Sequence, residues 1–359
     1  MSESINLGSG DPDAEAPECV KEAIFKALKE GGDWTHYGGS AISLQFKESV
    51  IDYYKTMGPE YKPDNIIPTC GSTAALNVAL GTVLDEGDEI LMWEPSYSGH
   101  YSLLRSMGIK LSVAPLKEGD GWHPDVDTLG EYVSPETKAV LICNPNNPTG
   151  TVFKEEELRA IGDLAVDHDF AILSDEIYLH FVYGDKKFVS TASLDGLAER
   201  TINIMSFSKT FSMTGYRLGY TIVPDRYLKR ANSLHGLANR PASFVYAGGV
   251  AALRSDFSYV EERRKVYGER IGYFCNAIDD VEGISCIPAE GAFYGWFNIK
   301  ELGIGSQEFC GRLQKEGARM RPGKGFGLNT DHYVRAALVR PVSQLKEVVA
   351  KVKNVVNTL

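Results

Sequence analysis

Residues 201–219 read TINIMSFSKTFSMTGYRLG. The stretch begins as an apolar strand and then places Lys209 among hydroxyl and apolar side chains, eight residues before Arg217. A lysine most often extends its amine to solvent, so a surface side chain is the simpler interpretation. A lysine held at the end of a buried strand instead has a lowered pKa and acts as a nucleophile toward carbonyls. The other strand ends of the sequence bear on which interpretation applies.

Strands and helices alternate between about residue 65 and residue 223. Apolar runs predict strands at 65–70, 89–93, 109–115, 138–143, 170–174, 201–207 and 217–223. This alternation predicts βαβ units and an α/β fold with a mostly parallel sheet flanked by helices. A long charged helix over 257–280 then leads into a smaller α+β unit. We therefore predict a large domain over 35–260 and a small domain formed by 1–34 with 261–359.

Ligands bind beyond the carboxyl ends of the strands in an open parallel sheet. Ser72 and Thr73 follow the first strand at a helix start, where free N–H groups suit a phosphate. The same residue types more commonly serve as ordinary helix caps. Tyr97 follows the strand at 89–93 and is suited either to stack on a planar ligand or to pack in the core.

Polar side chains also follow the next two strands. Asn147 lies in the turn-rich segment 144–150, between prolines that fix the backbone and aim its amide. Asp175 comes directly after an apolar strand, where an unpaired carboxylate is costly. It therefore needs a cationic partner, or it caps the next helix. Tyr178 lies three residues further on and can share the same face of a turn.

Together these residue types match one ligand, a planar aromatic aldehyde with a phosphate arm, which is pyridoxal 5′-phosphate (PLP). Residues 206–219 resemble the lysine signature of fold type I PLP enzymes, specifically the class I/II aminotransferases of the aspartate aminotransferase superfamily. Segments 144–150, 174–178 and 7–13 extend the resemblance over nearly the whole chain in the order of that family.

The resemblance implies a role for each matching residue. Lys209 would carry the cofactor as an internal aldimine and move a proton between Cα and C4′. Asp175 would keep the pyridine nitrogen protonated, and Tyr97 would stack on the ring. The other implied cofactor contacts are the ring phenolate for Asn147 and Tyr178, and the phosphate for Ser72, Thr73, Ser206 and Arg217.

The resemblance also implies how the substrate is held. Arg335 matches the C-terminal arginine that binds the substrate α-carboxylate, and Gly10 would offer its N–H to the same group. Asn147 would also contact the substrate. Members of the family are homodimers with active sites at the interface. Tyr37 is the chemical match for the tyrosine that reaches the partner's phosphate, although Trp34 lies nearer the usual offset from the glycine.

Composition bears on the partners and on the compartment. The 359 residues include 37 Lys and Arg against 48 Asp and Glu, for a net charge of −11. That balance excludes a basic nucleic-acid footprint and a polybasic membrane patch. Six cysteines without a CxxC pair predict a reducing compartment and no metal site. The sequence begins without signal-peptide features and holds no apolar run of membrane-spanning length, so we predict a cytoplasmic protein.

We therefore predict a PLP-dependent aminotransferase of amino acid metabolism, acting on an L-α-amino acid and an α-keto acid. A C–S β-lyase, a decarboxylase or an aminocyclopropane-carboxylate synthase would use the same cofactor residues, so these reactions stay open. A non-catalytic PLP-binding regulator would need an additional basic DNA-binding domain. A nicotinamide dehydrogenase would need GxGxxG in its first βα unit, whereas the glycines at 323, 325 and 327 lie near the C-terminus.

Overall fold

The computed structural model describes residues 4–37, 40–235 and 240–359. The strands are β1 (Ile5–Asn6), β2 (Ile66–Thr69), β3 (Glu89–Glu94), β4 (Lys110–Pro115), β5 (Thr137–Cys143), β6 (Ala171–Asp175), β7 (Thr201–Ser206), β8 (Gly219–Ile222), β9 (Ser285–Cys286), β10 (Tyr294–Asn298), β11 (Ala318–Arg319), β12 (Arg321–Pro322) and β13 (Tyr333–Ala337). The helices are α1 (Glu18–Glu30), α2 (Ser40–Tyr54), α3 (Ser72–Val83), α4 (Ser98–Ser106), α5 (Glu155–Asp167), α6 (Phe207–Thr210), α7 (Leu228–His235), α8 (Val245–Leu253), α9 (Ser258–Asp279), α10 (Ser306–Lys315) and α11 (Val342–Val356).

Seven strands form the main sheet, in the order β2-β8-β7-β6-β5-β3-β4. The pairs from β7 to β4 are parallel, and β8 runs antiparallel to both of its neighbours. Strands β5 and β6 are buried along almost their whole length, which explains why their sequences are continuous apolar runs. The predicted α/β fold with a mostly parallel sheet is confirmed.

The strand directions decide where the functional residues meet. Because β2 and β7 are both antiparallel to β8, they point the same way as each other and as the rest of the sheet. The residues that follow β2, β3, β5, β6 and β7, and those that precede β8, therefore gather at one edge. This edge contains every strand end singled out in the sequence.

A second, antiparallel sheet has the order β12-β13-β10-β9, and β1 pairs in parallel with β11. One core cluster joins Leu7 to Phe274, Val334 and Leu345, so the N-terminal strand packs with the C-terminal part of the chain. The long helix predicted over 257–280 is α9. It connects the two parts, because Val260 packs in a cluster of the main sheet and Phe274 in the C-terminal cluster.

Helix α1 packs against the main sheet's own helices. Its Val20 and Ile24 lie so close to α8 that a Cβ at Gly248 would be 3.0 Å and 2.8 Å from them. The predicted small domain, 1–34 with 261–359, thus contains two N-terminal segments that pack differently. Strand β1 packs with the C-terminal sheet, and helix α1 packs with the helices of the large sheet. The domain boundaries themselves stay a prediction. Among the described residues, every helix is too short or too polar to cross a lipid bilayer.

Candidate active site

A cavity of about 850 Å³ opens at the edge where the strand ends meet. A volume of this size is typical of small-molecule sites. The sequence-predicted residues that line it are Gly10, Ser72, Thr73, Tyr97, Asn147, Asp175, Tyr178, Lys209, Arg217 and Arg335. The structure therefore brings together, around one cavity, residues from the N-terminal segment, the main sheet and the C-terminal sheet.

Lys209 lies on the four-residue helix α6, directly after β7. Ser206 caps this helix, because its Oγ accepts a hydrogen bond from the Ser208 N–H at 3.1 Å. The side chain of Lys209 extends across the cavity, and its Nζ donates to the Gly10 carbonyl. The amine is thus held between the main sheet and the N-terminal segment.

The surroundings of Lys209 favour the neutral amine. Burial lowers the pKa of Lys209 to about 8, and the positive charges of Arg335 and Arg217 act in the same direction. The carboxylates of Asp11 and Asp175 oppose this decrease. A lysine whose pKa is this low has a substantial neutral fraction near physiological pH, which nucleophilic attack on a carbonyl requires.

Asp175 ends β6 and presents a buried carboxylate to the cavity. Its Oδ2 lies 3.1 Å from Nε2 of His100, which is fully buried on α4. Nδ1 of the same ring lies 3.0 Å from the Oγ of Ser96. Since an ionised carboxylate only accepts hydrogen bonds, Nε2 is the donor to Asp175. The line Ser96–His100–Asp175 fixes the orientation of the carboxylate.

The start of α3 and Arg217 form an anion site. The N–H groups of the first helical turn have no partner within the helix, and Ser72 and Thr73 line the cavity. Arg217 precedes β8 with φ of +57°, and its Nη1 donates to the Thr214 carbonyl at 2.8 Å. Gly71 has φ of +79°, and a Cβ there would lie 2.6 Å from Nη2 of Arg217. A glycine at this position lets the guanidinium approach the helix start.

Arg335 on β13 is buried and extensively hydrogen bonded. Its Nη1 donates to Asn147 Oδ1 and its Nη2 to the Gly8 carbonyl, each at 3.0 Å. Its Cζ lies 4.4 Å from the ring centroid of Tyr294 and 4.9 Å from that of Phe326. Within the described chain its Nε is buried without a hydrogen-bond partner. A guanidinium held this firmly is suited to bind a carboxylate through its planar fork.

Two tyrosines, Tyr178 and Tyr294, also line the cavity. The hydroxyls of Tyr178 and Tyr294 lie 2.7 Å apart. Burial raises the pKa of Tyr178 well above its usual range, so its hydroxyl stays protonated and can donate a hydrogen bond. Gly10 packs directly against Tyr294, so a Cβ at this position would collide with the Tyr294 hydroxyl.

Tyr97 stands at the mouth of the cavity and is partly exposed. Its ring is nearly perpendicular to the His100 ring, at 5.4 Å between centroids. Gly99 allows this position, since a Cβ there would overlap the Tyr97 ring. The tyrosine therefore presents an aromatic surface to the cavity beside the group that supports Asp175.

Two predicted residues lie outside the cavity lining. The Ser206 hydroxyl is engaged in capping α6, so its predicted phosphate contact stays a prediction. Tyr37 is fully exposed and precedes the undescribed residues 38–39. Its predicted contact with a partner subunit also stays a prediction.

Sequence reasoning missed several residues that complete the site. His100 carries no pattern of its own, although its positions relative to Ser96 and Tyr97 are helical spacings. Tyr294 reads as one more apolar position of a buried strand. Arg321 and Lys324 also line the cavity, and only the pairing of β12 with β13 brings them there.

The lining fits PLP. The cavity holds an anion site at Arg217 for a phosphate and a buried carboxylate at Asp175 for a protonated ring nitrogen. Tyr178 offers a hydroxyl for a ring oxygen, and Lys209 offers an amine for an aldehyde. The close approach that Gly71 permits is a specific feature, because any side chain there would fill the space that the Arg217 guanidinium occupies.

Comparison with known proteins gives matches over the full chain. The family described as "Aminotransferase class I and II" matches residues 2–352. An aspartate aminotransferase from Pyrococcus horikoshii is 36% identical over 358 residues, which cover 98% of this chain and 90% of the relative. Aromatic-amino-acid aminotransferase 2 from Thermococcus litoralis is 35% identical over 98% of this chain and 91% of its own length. The crystal structure of an aromatic aminotransferase from Pyrococcus horikoshii superposes with a TM-score of 0.94 at 33% identity, covering 100% of this chain and 96% of that one.

Proposed function

This chain belongs to the class I and II aminotransferase family, and on that premise we propose that Lys209 is the residue that binds the cofactor and moves the proton during the reaction. The protein is a PLP-dependent aminotransferase that transfers an amino group between an amino acid and a keto acid. The resemblance drawn from residues 206–219 is confirmed, and transamination is favoured over the elimination and decarboxylation reactions that the sequence left open.

One observation carries the role of Lys209. Its amine lies in the cavity among Asp175, Arg217 and Arg335, with a pKa lowered to about 8. When bound, PLP supplies an aldehyde that condenses with amines and a ring that accepts the electrons released at the substrate Cα. Lys209 supplies the amine that holds the cofactor, and once displaced by substrate it is the base positioned to accept the Cα proton.

The remaining side chains divide the work of binding and orientation. Asp175, oriented by His100, keeps a proton on the ring nitrogen through its negative charge. Arg217 and the start of α3 bind the phosphate. Arg335 binds the substrate α-carboxylate, and Asn147 braces that arginine by accepting one of its hydrogen bonds.

Borohydride reduction followed by peptide mass mapping tests the role of Lys209. Reduction of the purified holoenzyme should fix the cofactor mass on the peptide that contains Lys209. Lys209→Ala should retain some cofactor but lose turnover, while Lys187→Ala, at an exposed lysine outside the cavity, serves as the control. Cofactor mass on another lysine, or undiminished turnover in Lys209→Ala, would refute the assignment.

A homodimer is part of the proposal. Phe25, Leu28, Tyr37 and Leu44 are large apolar side chains of the N-terminal segment that are exposed in the single chain, and large exposed apolar side chains often mark a surface that a partner covers. Tyr37 would then reach the partner's phosphate. Light scattering should give twice the mass of the chain, and Phe25→Asp together with Leu28→Asp should produce monomers. A wild-type monomer with full activity would contradict this part of the proposal.

The donor substrates and the compartment are also proposals. The relatives are named for aspartate and for aromatic amino acids, and we propose L-amino acids of these types as donors, with 2-oxoglutarate as acceptor. Mixing the holoenzyme with single amino acids, without keto acid, should convert the aldehyde form of the cofactor to its amine form for true donors. We further propose a cytoplasmic location, which cell fractionation tests.

A further inference from the structure

Two arginines face each other across the antiparallel pair of β12 and β13. Arg321 is the register partner of Arg335, so their side chains lie on the same face of the sheet, and both line the cavity. Like charges placed directly opposite each other destabilise a sheet, so this arrangement is unfavourable unless an anion lies between or beside them. The arginine pair therefore indicates that the bound ligand carries a second anionic group.

The two guanidinium groups share one acceptor. Arg321 donates from Nε to the Gly8 carbonyl at 3.2 Å, and Arg335 donates from Nη2 to the same oxygen at 3.0 Å. Because both nitrogens contact one oxygen, they lie at most about 6 Å apart. Within the described chain only Nε of Arg321 forms a hydrogen bond, so both of its Nη groups can bind a ligand beside the position assigned to the α-carboxylate.

Lys324 adds a third charge on a rigid turn. The turn Gly323–Gly325 follows β12, and a Cβ at Gly323 would overlap backbone oxygens of Thr330 and Tyr333. The Lys324 N–H approaches the Ser306 hydroxyl at 3.4 Å. This close packing holds the turn at the cavity wall, and among the described residues the Lys324 amine forms no ion pair.

Two cationic side chains of the cavity lining have no assigned partner in the ligand. The cationic lining residues of the described chain are Lys209, Arg217, Arg321, Lys324 and Arg335, and none of them forms an ion pair there. The lining carboxylates are Asp11 and Asp175. With a phosphate assigned to Arg217 and an α-carboxylate assigned to Arg335, Arg321 and Lys324 are the lining cations without an assigned anion.

We propose that Arg321 and Lys324 form a second carboxylate subsite, which binds the distal carboxylate of a dicarboxylic amino or keto acid. The proposal rests on the proposed function, because it takes Arg335 as the partner of the α-carboxylate. Arg321 determines specificity by offering a planar fork to the distal carboxylate, and Lys324 supplies a point charge at the cavity wall.

Amino donors with and without a distal carboxylate test the subsite. The holoenzymes of wild type, Arg321→Gln and Lys324→Gln are compared with aspartate and with alanine as amino donors. Arg321→Gln should lower kcat/KM for aspartate by about 10- to 100-fold and change kcat/KM for alanine by less than about 3-fold. Arg312→Gln, which removes an exposed arginine of α10 paired with Glu308, is the matched control for loss of positive charge.

Calorimetric binding of succinate and butyrate gives a readout independent of turnover. Both acids have four carbons, but only succinate carries a second carboxylate. Arg321→Gln should weaken succinate binding by about 10-fold or more and leave butyrate binding within about 3-fold of wild type. Lys324→Gln should act in the same direction with a smaller effect.

Two results would refute the proposed carboxylate subsite. Equal losses for aspartate and alanine would mean that Arg321 merely supports Arg335, and unchanged aspartate kinetics would mean that it does not contact the substrate. Failure of the proposed function would give a different result from failure of the subsite. In that case the wild-type protein would convert neither amino acid but would still bind succinate more tightly than butyrate. Loss of the folded state is not expected, since Arg321→Gln removes a like-charge pair.

Discussion

Nε2 of His100 lies 3.1 Å from Oδ2 of Asp175, and both side chains are buried, although only Asp175 lines the cavity. The imidazole is held in turn by the hydroxyl of Ser96 at 3.0 Å. A buried carboxylate is costly without such a donor, so the position of Asp175 depends on a residue that lines no part of the cavity. Variants of Asp175 and of His100 separate the effect of the Asp175 charge from the effect of its positioning.

Asp175→Ala should remove most of the activity with a smaller effect on the fold. In the proposed role Asp175 keeps the ring nitrogen protonated, and removal of an electrostatic group of this kind costs about 10²- to 10³-fold in kcat. The rate of the half-reaction with a single amino acid, followed by cofactor absorbance, is the measurement. Thermal unfolding of the same variant checks the fold, and an unaffected rate would contradict the role of Asp175.

His100→Gln should cause a smaller loss, of about 3- to 30-fold in kcat, because Asp175 keeps its charge but loses its fixed donor. The pH dependence of the half-reaction should also change, since the donor to the carboxylate has changed. A purely structural role would lower stability without changing the pH profile. His168→Gln, at an exposed histidine that ends α5, is the control.

Gly71→Ala should weaken cofactor binding specifically. Its Cβ would lie 2.6 Å from the guanidinium of Arg217, and the residue has φ of +79°. Gly87 has φ of +93°, but a Cβ there would meet no atom within 4 Å, so Gly87→Ala carries the backbone strain without the collision. Each variant should lose about 1 kcal/mol of stability. Only Gly71→Ala should raise the dissociation constant for PLP, by about 10-fold or more, and equal affinities would show that Arg217 does not hold the phosphate.

His123 should stabilise the protein in a pH-dependent way. Hydrogen bonds to Glu157 and Glu290 raise the pKa of His123 to about 9. Since the folded-state pKa exceeds that of an unfolded histidine, the stabilisation is complete below about pH 6.5 and is lost as the pH rises through 9. His123→Gln should therefore lower the free energy of unfolding by about 1–2 kcal/mol at pH 6, allowing for partial exposure.

Urea unfolding at pH 6 and at pH 9.5 measures this difference. The effect of His123→Gln should be small at the higher pH, where the wild-type imidazole is largely neutral. A destabilisation of equal size at both values would mean that packing, and not charge, accounts for the contribution of His123. The pair with Glu290 is of structural interest, because Glu290 also accepts from Lys186 at 2.7 Å and from the N–H of Val152 at 3.0 Å.

The parts of the fold that could be predicted are those with strong local signals. Buried parallel strands appear as continuous apolar runs, so β5 and β6 lie within a residue of their predicted ends, and Asp175 and Lys209 follow from the strand ends. Helix α8 was not predicted, because its sequence is apolar on all sides and its two glycines lower helix propensity. In the structure Gly248 and Gly249 are required, since any Cβ would collide with Ile24 or Phe46.

The unpredicted part of the site depends on tertiary pairing. Arg321 enters the cavity only because β12 lies beside β13, and each of the strands β11 and β12 contains two residues, too few to show a period. Tyr294 meets Tyr178 only because the C-terminal sheet packs against the edge of the main sheet. Neither contact can be predicted from the neighbouring residues in the sequence, because both depend on strands that are far apart along the chain.

Lys209 should react with amine reagents at a much lower pH than a solvated lysine. The pKa of Lys209 is lowered to about 8, chiefly by burial; the carboxylate of Asp11 opposes this decrease and the charge of Arg335 contributes to it. In protein freed of cofactor, labelling of Lys209 with acetic anhydride, followed by peptide mass spectrometry, should rise with pH to a midpoint near this value. Arg335→Gln removes a positive charge that disfavours the ammonium form, so its midpoint should increase, whereas Asp11→Asn should decrease it. A midpoint at the ordinary lysine value of about 10.4, or shifts of the same sign in both variants, would show that the cavity does not control the proton of Lys209.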